Sequence, residues 1–200
     1  MKNKKGYILM AAGLCLIIAA LSLIAYNRYD ESRAQKASEN VLAQLDMSVT
    51  ESKDENEIPD YMLNPHMEMP TRTVDGNEYI GILKIKSIGL TLPVISQCDN
   101  SKLKIAPCRY SGSAYLNNMI IAGHDYVSHL GHMFDLEAGD KITFTDTDNN
   151  VFNYEVTEIG YLYSNQTEEM LAEGSWDLTL FTCTYSGRQR LTIRARLIGQ

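Results

Sequence analysis

The chain has 200 residues, 44% hydrophobic and 22% charged, a globular average with room for one domain of ordinary size plus appendages. Its net charge of −7 is unevenly spread: residues 27–78 hold 5 basic against 12 acidic side chains, and residues 79–200 hold 10 against 13. No stretch supplies the basic stripe that nucleic-acid binding requires, so that function class is excluded.

Lys2, Lys4 and Lys5 form a basic tail over residues 1–5, and an apolar run over 6–26 follows without a charge, Asn or Gln until Asn27. That length suffices to cross the roughly 30 Å hydrocarbon core as a helix. Lysines before the run, with Asp30 and Glu31 after it, predict a cytoplasmic N-terminus and an extracellular remainder. A cleavable signal peptide fits less well, because its apolar region is shorter and ends at small residues, which Ala19-Ala20 followed by Leu21-Ser22-Leu23 satisfies only loosely. Leu14 precedes Cys15 where a lipoprotein signal needs a small residue, so Cys15 reads as an apolar residue of the span.

Residues 27–78 read as an extracellular stalk and linker. The segment 30–47 has helical spacing, but Val41, Leu42 and Leu45 make only a narrow apolar stripe, which predicts a stalk or weak packing. Residues 48–77 are rich in Glu, Asp, Asn and Met, and hold Pro59, Pro65 and Pro70, a composition suited to a flexible spacer.

From Tyr79 to the end, 79–200, the pattern becomes short alternating runs. Leu83 and Ile85 alternate with lysines, Leu90, Leu92 and Val94 follow, and Ile142 and Phe144 alternate with threonines. Phe152, Tyr154 and Val156 continue the period of two after a turn at 146–150; the runs 119–122, 178–182 and 191–197 complete the set. Seven or eight short strands at this spacing predict an all-β sandwich or barrel, with a single short helix at 167–172.

Three cysteines lie outside the membrane run, Cys98, Cys108 and Cys183, and an odd count leaves at least one thiol unpaired. Cys98 and Cys108 form either a short-loop disulfide or, the preferred reading, two ordinary thiols. Cys183 ends the apolar strand Leu178-Thr179-Leu180-Phe181-Thr182, a place where a rigid scaffold projects a side chain into a loop-walled cleft. If that strand and the one starting at Arg190 form an antiparallel hairpin over a 184–189 loop, Cys183 and Arg190 stand opposite each other. Arg194 and Arg196 lie further along.

A nucleophilic thiol also needs a proton partner, because the thiolate is the reactive form and a free thiol, with a pKa near ~8.5, is mostly protonated at neutral pH. His124 ends the buried run Met119-Ile120-Ile121-Ala122-Gly123, with a glycine allowing close approach. His129 and His132 sit in a polar, glycine-containing loop and read as solvated. Each residue also has a structural reading: a buried small cysteine, a packed histidine, and an arginine row that guards an edge strand. The spacing of His124, Asp125, His129 and His132 matches no recognised zinc arrangement, and no metal or other cofactor is expected. The run 146–150 lacks the glycine and distal glutamate of a calcium loop, so a hairpin turn explains it better.

Taken together, Ile121-Ala122-Gly123-His124, then Leu178-Thr179-Leu180-Phe181-Thr182-Cys183, then Arg190-Leu191-Thr192-Ile193-Arg194, resemble the sortase family over residues 79–197. The resemblance implies an eight-stranded barrel with short helices behind an N-terminal membrane anchor, on a Gram-positive cell surface. It implies a cysteine transpeptidase that cuts a C-terminal sorting signal of Leu-Pro-x-Thr-Gly type between Thr and Gly through a thioester. The acyl group then passes to an amine acceptor such as a peptidoglycan precursor. By the same resemblance Cys183, His124 and Arg190 are catalytic and Thr182 is substrate-binding. The partners are secreted proteins bearing the signal, with no nucleic acid among them. Pilus-building members have a lid with an Asp-Pro-aromatic motif, where this sequence offers Asn64-Pro65-His66; that favours anchoring or a specialised role. The competing reading from another class is a membrane-tethered, non-catalytic β-barrel binding module.

Overall fold

A computed structural model describes residues 4–46, 58–184 and 186–199. A single helix, α1 (Lys4–Asp46), runs from the apolar segment into the polar one without a break. Its 43 residues would measure about 65 Å at helical rise. The large apolar side chains from Tyr7 to Tyr26 are exposed, and this part of the helix is long and apolar enough to cross a membrane.

The second half of α1 departs from the expected stalk. Ala34, Ser38, Val41 and Leu45 recur at helical spacing and are almost fully buried, Val41 and Leu45 in one cluster with Val74, Tyr79, Ile95, Ala106 and Cys108. Burying Val41 and Leu45 contributes about 1.5–3 kcal/mol each. Ser38 Oγ donates to the Ile105 carbonyl at 3.2 Å, so even the polar member of this face has a partner. A narrow stripe docks because small residues, Ala34 and Ser38, let the helix approach the sheet closely.

The linker is likewise more structured than its composition suggests. Residues 47–57 lie outside the described part, but α2 (Asp60–Leu63) and the segment after it belong to the compact domain. Tyr61 stacks on Tyr115 with ring centroids 4.6 Å apart, and Met69 is buried in the main core. The packed unit therefore begins before Tyr79, because two large apolar side chains outweigh the polar residues around them.

Among the described residues there are nine strands: β1 (Arg72–Val74), β2 (Asn77–Ile85), β3 (Leu90–Ile95), β4 (Cys108–Ser111), β5 (Met119–Gly123), β6 (Lys141–Asp146), β7 (Val151–Tyr163), β8 (Leu178–Cys183) and β9 (Gln189–Gly199). Their order is β1-β2-β3-β4-β5-β8-β9-β7-β6, and a β2–β6 pairing closes β2 through β9 into the expected eight-stranded barrel. β1 is a short hairpin partner of β2 outside that closure. Alternation along the strands fills the interior with Leu83, Ile85, Phe144, Phe152, Tyr154, Leu180 and Ile193, all buried. The 146–150 segment is a hairpin turn: Asp146 accepts from the Asp148 and Asn150 amides at 2.9 Å, and Asn149 takes φ 66°. The short helix appears as α3 (Thr167–Leu171) between β7 and β8.

Candidate active site

Three adjacent strands bring the expected residues together. β8 pairs with β5 in parallel, Gly123 opposite Thr182, so His124, one residue beyond β5, comes alongside Cys183 at the end of β8. On the other side β8 pairs antiparallel with β9, and Cys183 is the direct partner of Arg190. At the backbone Cys183 thus stands between His124 and Arg190, each about one strand spacing of 4.8 Å away. Cys183 is exposed and reduced.

Period-two alternation decides which neighbours share the face. Ile120 and Ala122, Thr179 and Phe181, and Thr192 and Arg194 lie on the same side as the three candidates. Thr182 does not. Its side chain is fully buried on the opposite, inward side, across from Leu191, away from the face that the substrate-binding expectation for it requires. Phe181, one residue earlier and outward, is better placed, and packs with Ile120, Ala122 and Met170 into an apolar floor leading to the thiol.

The loop holding His124 folds back on its own strand. Leu130 N donates to the His124 carbonyl at 3.1 Å, and Gly131 N to the Tyr126 carbonyl at 2.9 Å. Gly123 is needed there, because a Cβ at that position would lie 2.6 Å from Leu130 Cδ1. Tyr126 stacks against the His124 ring at 4.8 Å and donates from its hydroxyl to Asp30 Oδ2 of α1 at 2.7 Å. Next to it, Val127 N donates to Glu31 Oε1 at 2.9 Å. The long helix therefore holds the histidine loop from outside, a contact between residues 96 positions apart in sequence.

Burial holds the His124 imidazole below the usual histidine range, and Asp125 and Asp30 partly oppose that shift. The hydrogen bond to Tyr126 is the chief cause that draws the Asp30 carboxyl down, while burial and that same bond push Tyr126 up to about 12, so phenol and carboxylate stay donor and acceptor. His129 was expected to be solvated and is instead completely buried, its ring 5.4 Å from Tyr126. Burial, reinforced by repulsion from His124, brings it down to about 4. The polar loop misleads because it turns inward at Leu130. His132 is exposed as expected, beside Asp135 at 3.1 Å.

Arg190 is half-buried, its Nη1 donating to the Ser164 carbonyl at 2.9 Å and its Cζ 5.7 Å from the Phe181 ring centroid. One arm of the guanidinium is thereby fixed, and the planar fork has further N–H groups to offer. Cys98 and Cys108 are both reduced and share a hydrogen bond that, with burial, pushes Cys108 far up while drawing Cys98 down. The two thiols expected there are present, separate from the exposed one.

The sortase domain model matches residues 83–198, more than half of the chain and all three candidate residues. The chain belongs to the sortase family. Sortase A of Bacillus anthracis is 26% identical over 207 residues, covering 98% of this chain and 97% of that relative. Among solved structures, a Clostridium perfringens sortase D5 transpeptidase matches with a TM-score of 0.59 at 22% identity, covering 84% of this chain and 99% of its own. The Streptococcus pneumoniae sortase C matches at 0.58 and 20%, covering 86% and 90%. The barrel is thus the sortase fold, and the family is one of cell-surface transpeptidases acting at the cell wall.

Proposed function

We propose that this sortase is a membrane-anchored cysteine transpeptidase that cleaves a Leu-Pro-x-Thr-Gly type signal between Thr and Gly. The Cys183 thiolate adds to the threonine carbonyl carbon, and the His124 imidazolium gives its proton to the departing glycine amine as the C–N bond breaks. A thioester and a free C-terminal fragment result. In the second half, an acceptor amine attacks the thioester carbonyl, gives its proton to His124, and releases the thiolate. Arg190 donates to the carbonyl oxygen as negative charge develops there, a contribution of about 3 kcal/mol for one such donor. The acceptor is a cell-wall amine, and the apolar half of α1 anchors the enzyme with its N-terminus cytoplasmic.

The observation that supports this reading is the strand register, Gly123 opposite Thr182 and Cys183 opposite Arg190, together with the exposure of Cys183 at a strand end. A thiol of purely structural use belongs inside, where Cys108 is. The experiment is incubation of the full chain in detergent micelles with a fluorogenic sorting-signal peptide, with and without a glycine-based amine. Parent enzyme should give a thioester adduct by mass spectrometry and a ligated product when the amine is present. Cys183→Ala should give neither while remaining folded. Cleavage by Cys183→Ala at the parental rate refutes the nucleophile, and hydrolysis alone in the presence of amine refutes transfer.

A further inference from the structure

The face that carries the thiol continues well past it. Thr179 and Phe181 precede Cys183 at two-residue intervals, as Ile120 and Ala122 precede His124, so one floor runs along β5 and β8. Near the scissile position that floor is apolar, with Phe181, Ala122 and Met170 packed together. Four residues from Cys183, about 13 Å at strand rise, its character changes. There Ile120 and Thr179 form the base of a cavity of ≈ 250 Å³ whose walls include Asn117, Glu173, Trp176 and Asp177. The Arg194 guanidinium lies 3.7 Å from the Trp176 ring centroid, already engaged by the Glu158 carboxylate at 3.1 Å and the Glu169 carbonyl at 3.0 Å. The ionisable residues lining the cavity itself are Glu173 and Asp177, both acidic.

We propose that this cavity is a specificity subsite for the residue immediately ahead of the signal's leucine, with a preference for a basic side chain there; this rests on the sorting-signal reading above. An extended peptide advances about 3.3 Å per residue, so a chain acylated at Cys183 reaches the cavity about four residues upstream of its threonine. Occupancy from the acyl side follows from the order of the reaction. The acyl part stays bound through both half-reactions, while the leaving amine must vacate its place for the acceptor. Contacts that serve both steps therefore belong upstream of the cut bond. Carboxylates on the wall and an apolar floor before them suit a peptide that is apolar next to its cut site and cationic beyond it.

The chain has one tryptophan, and it stands in this wall, so indole emission reports occupancy directly. Full-length Cys183→Ala in detergent micelles is titrated with peptides bearing Arg, Ala or Glu ahead of Leu-Pro-x-Thr-Gly, and with one beginning at the leucine. The Arg peptide should change Trp176 emission and bind about two- to fivefold more tightly than the Glu peptide, the scale of a solvent-screened ion pair. The active enzyme should show the same order in kcat/KM, and Glu173→Gln should shrink that ratio. The leucine-initiated peptide should be cleaved without an emission change. If all peptides are cleaved with equal kcat/KM and unchanged emission, or if emission responds only to residues after the glycine, the subsite assignment is overturned while the sorting-signal reading stands. If none is cleaved, that reading fails and takes the subsite with it.

Discussion

Replacing His129 with glutamine tests how much of this protein's acid sensitivity resides under the active-site loop. The imidazole is wholly buried and brought down to about 4, against a usual value near 6.5. A folded state that holds fewer protons than the unfolded one loses stability as pH falls. The contribution is fully present above about pH 6.5, is lost through the window down to about 4, and changes little below. The difference of about 2.5 in pKa, at ~1.36 kcal/mol each, amounts to about 3 kcal/mol, most of it lost by pH 4.5. Urea unfolding of the full chain in detergent micelles, followed by far-UV circular dichroism at pH 7 and 4.5, measures it. Parent protein should lose about 2 kcal/mol more than His129→Gln across that interval. Equal losses in the two proteins would mean that His129 is not held neutral in the fold, and the account of the loop as an inward-turned segment fails.

Arg190→Lys should lower kcat by about 10²–10³ with little change in KM, since a point charge cannot copy the planar fork; steady-state kinetics on the signal peptide decide it, and an unchanged kcat removes Arg190 from the reaction. Asp30→Asn withdraws a charge that favours the His124 imidazolium, so the histidine titration followed by NMR should move to lower pH; an unmoved titration would mean that Asp30 does not act on the ring. Gly123→Ala should destabilise by about 1–3 kcal/mol and lower activity, because the added methyl meets Leu130 and displaces the His124 loop; thermal unfolding and kinetics together test both halves.

The three catalytic candidates were legible because each stands at a strand end, and because Cys183 and Arg190 are joined by a hairpin whose register follows from loop length alone. The barrel was legible for a similar reason, as period-two alternation survives in β2, β6, β7 and β9 and β8 stands out as an apolar run. β4 left no such trace, since four residues, Cys108-Arg109-Tyr110-Ser111, cannot display a period. The face of Thr182 was readable from alternation with Cys183 yet opposed by its adjacency to it in sequence. Docking of α1 was hidden because Ala34 and Ser38 count as weakly apolar and polar by composition, and their value lies in being small. Tyr126 and Asp30, which together brace His124, are 96 residues apart, and no local pattern joins them.

Because α1 is unbroken, it would serve, on the proposed anchoring, as a mast and not as a rope. Asp30 grips the Tyr126 loop only four residues, about 6 Å of helix, beyond the end of the apolar segment. On the proposed topology the rim bearing Cys183 is then held beside the lipid headgroups at a fixed tilt. An exported protein still lodged in the bilayer by its own tail would present its cut site at the same height, so encounter becomes a search in two dimensions.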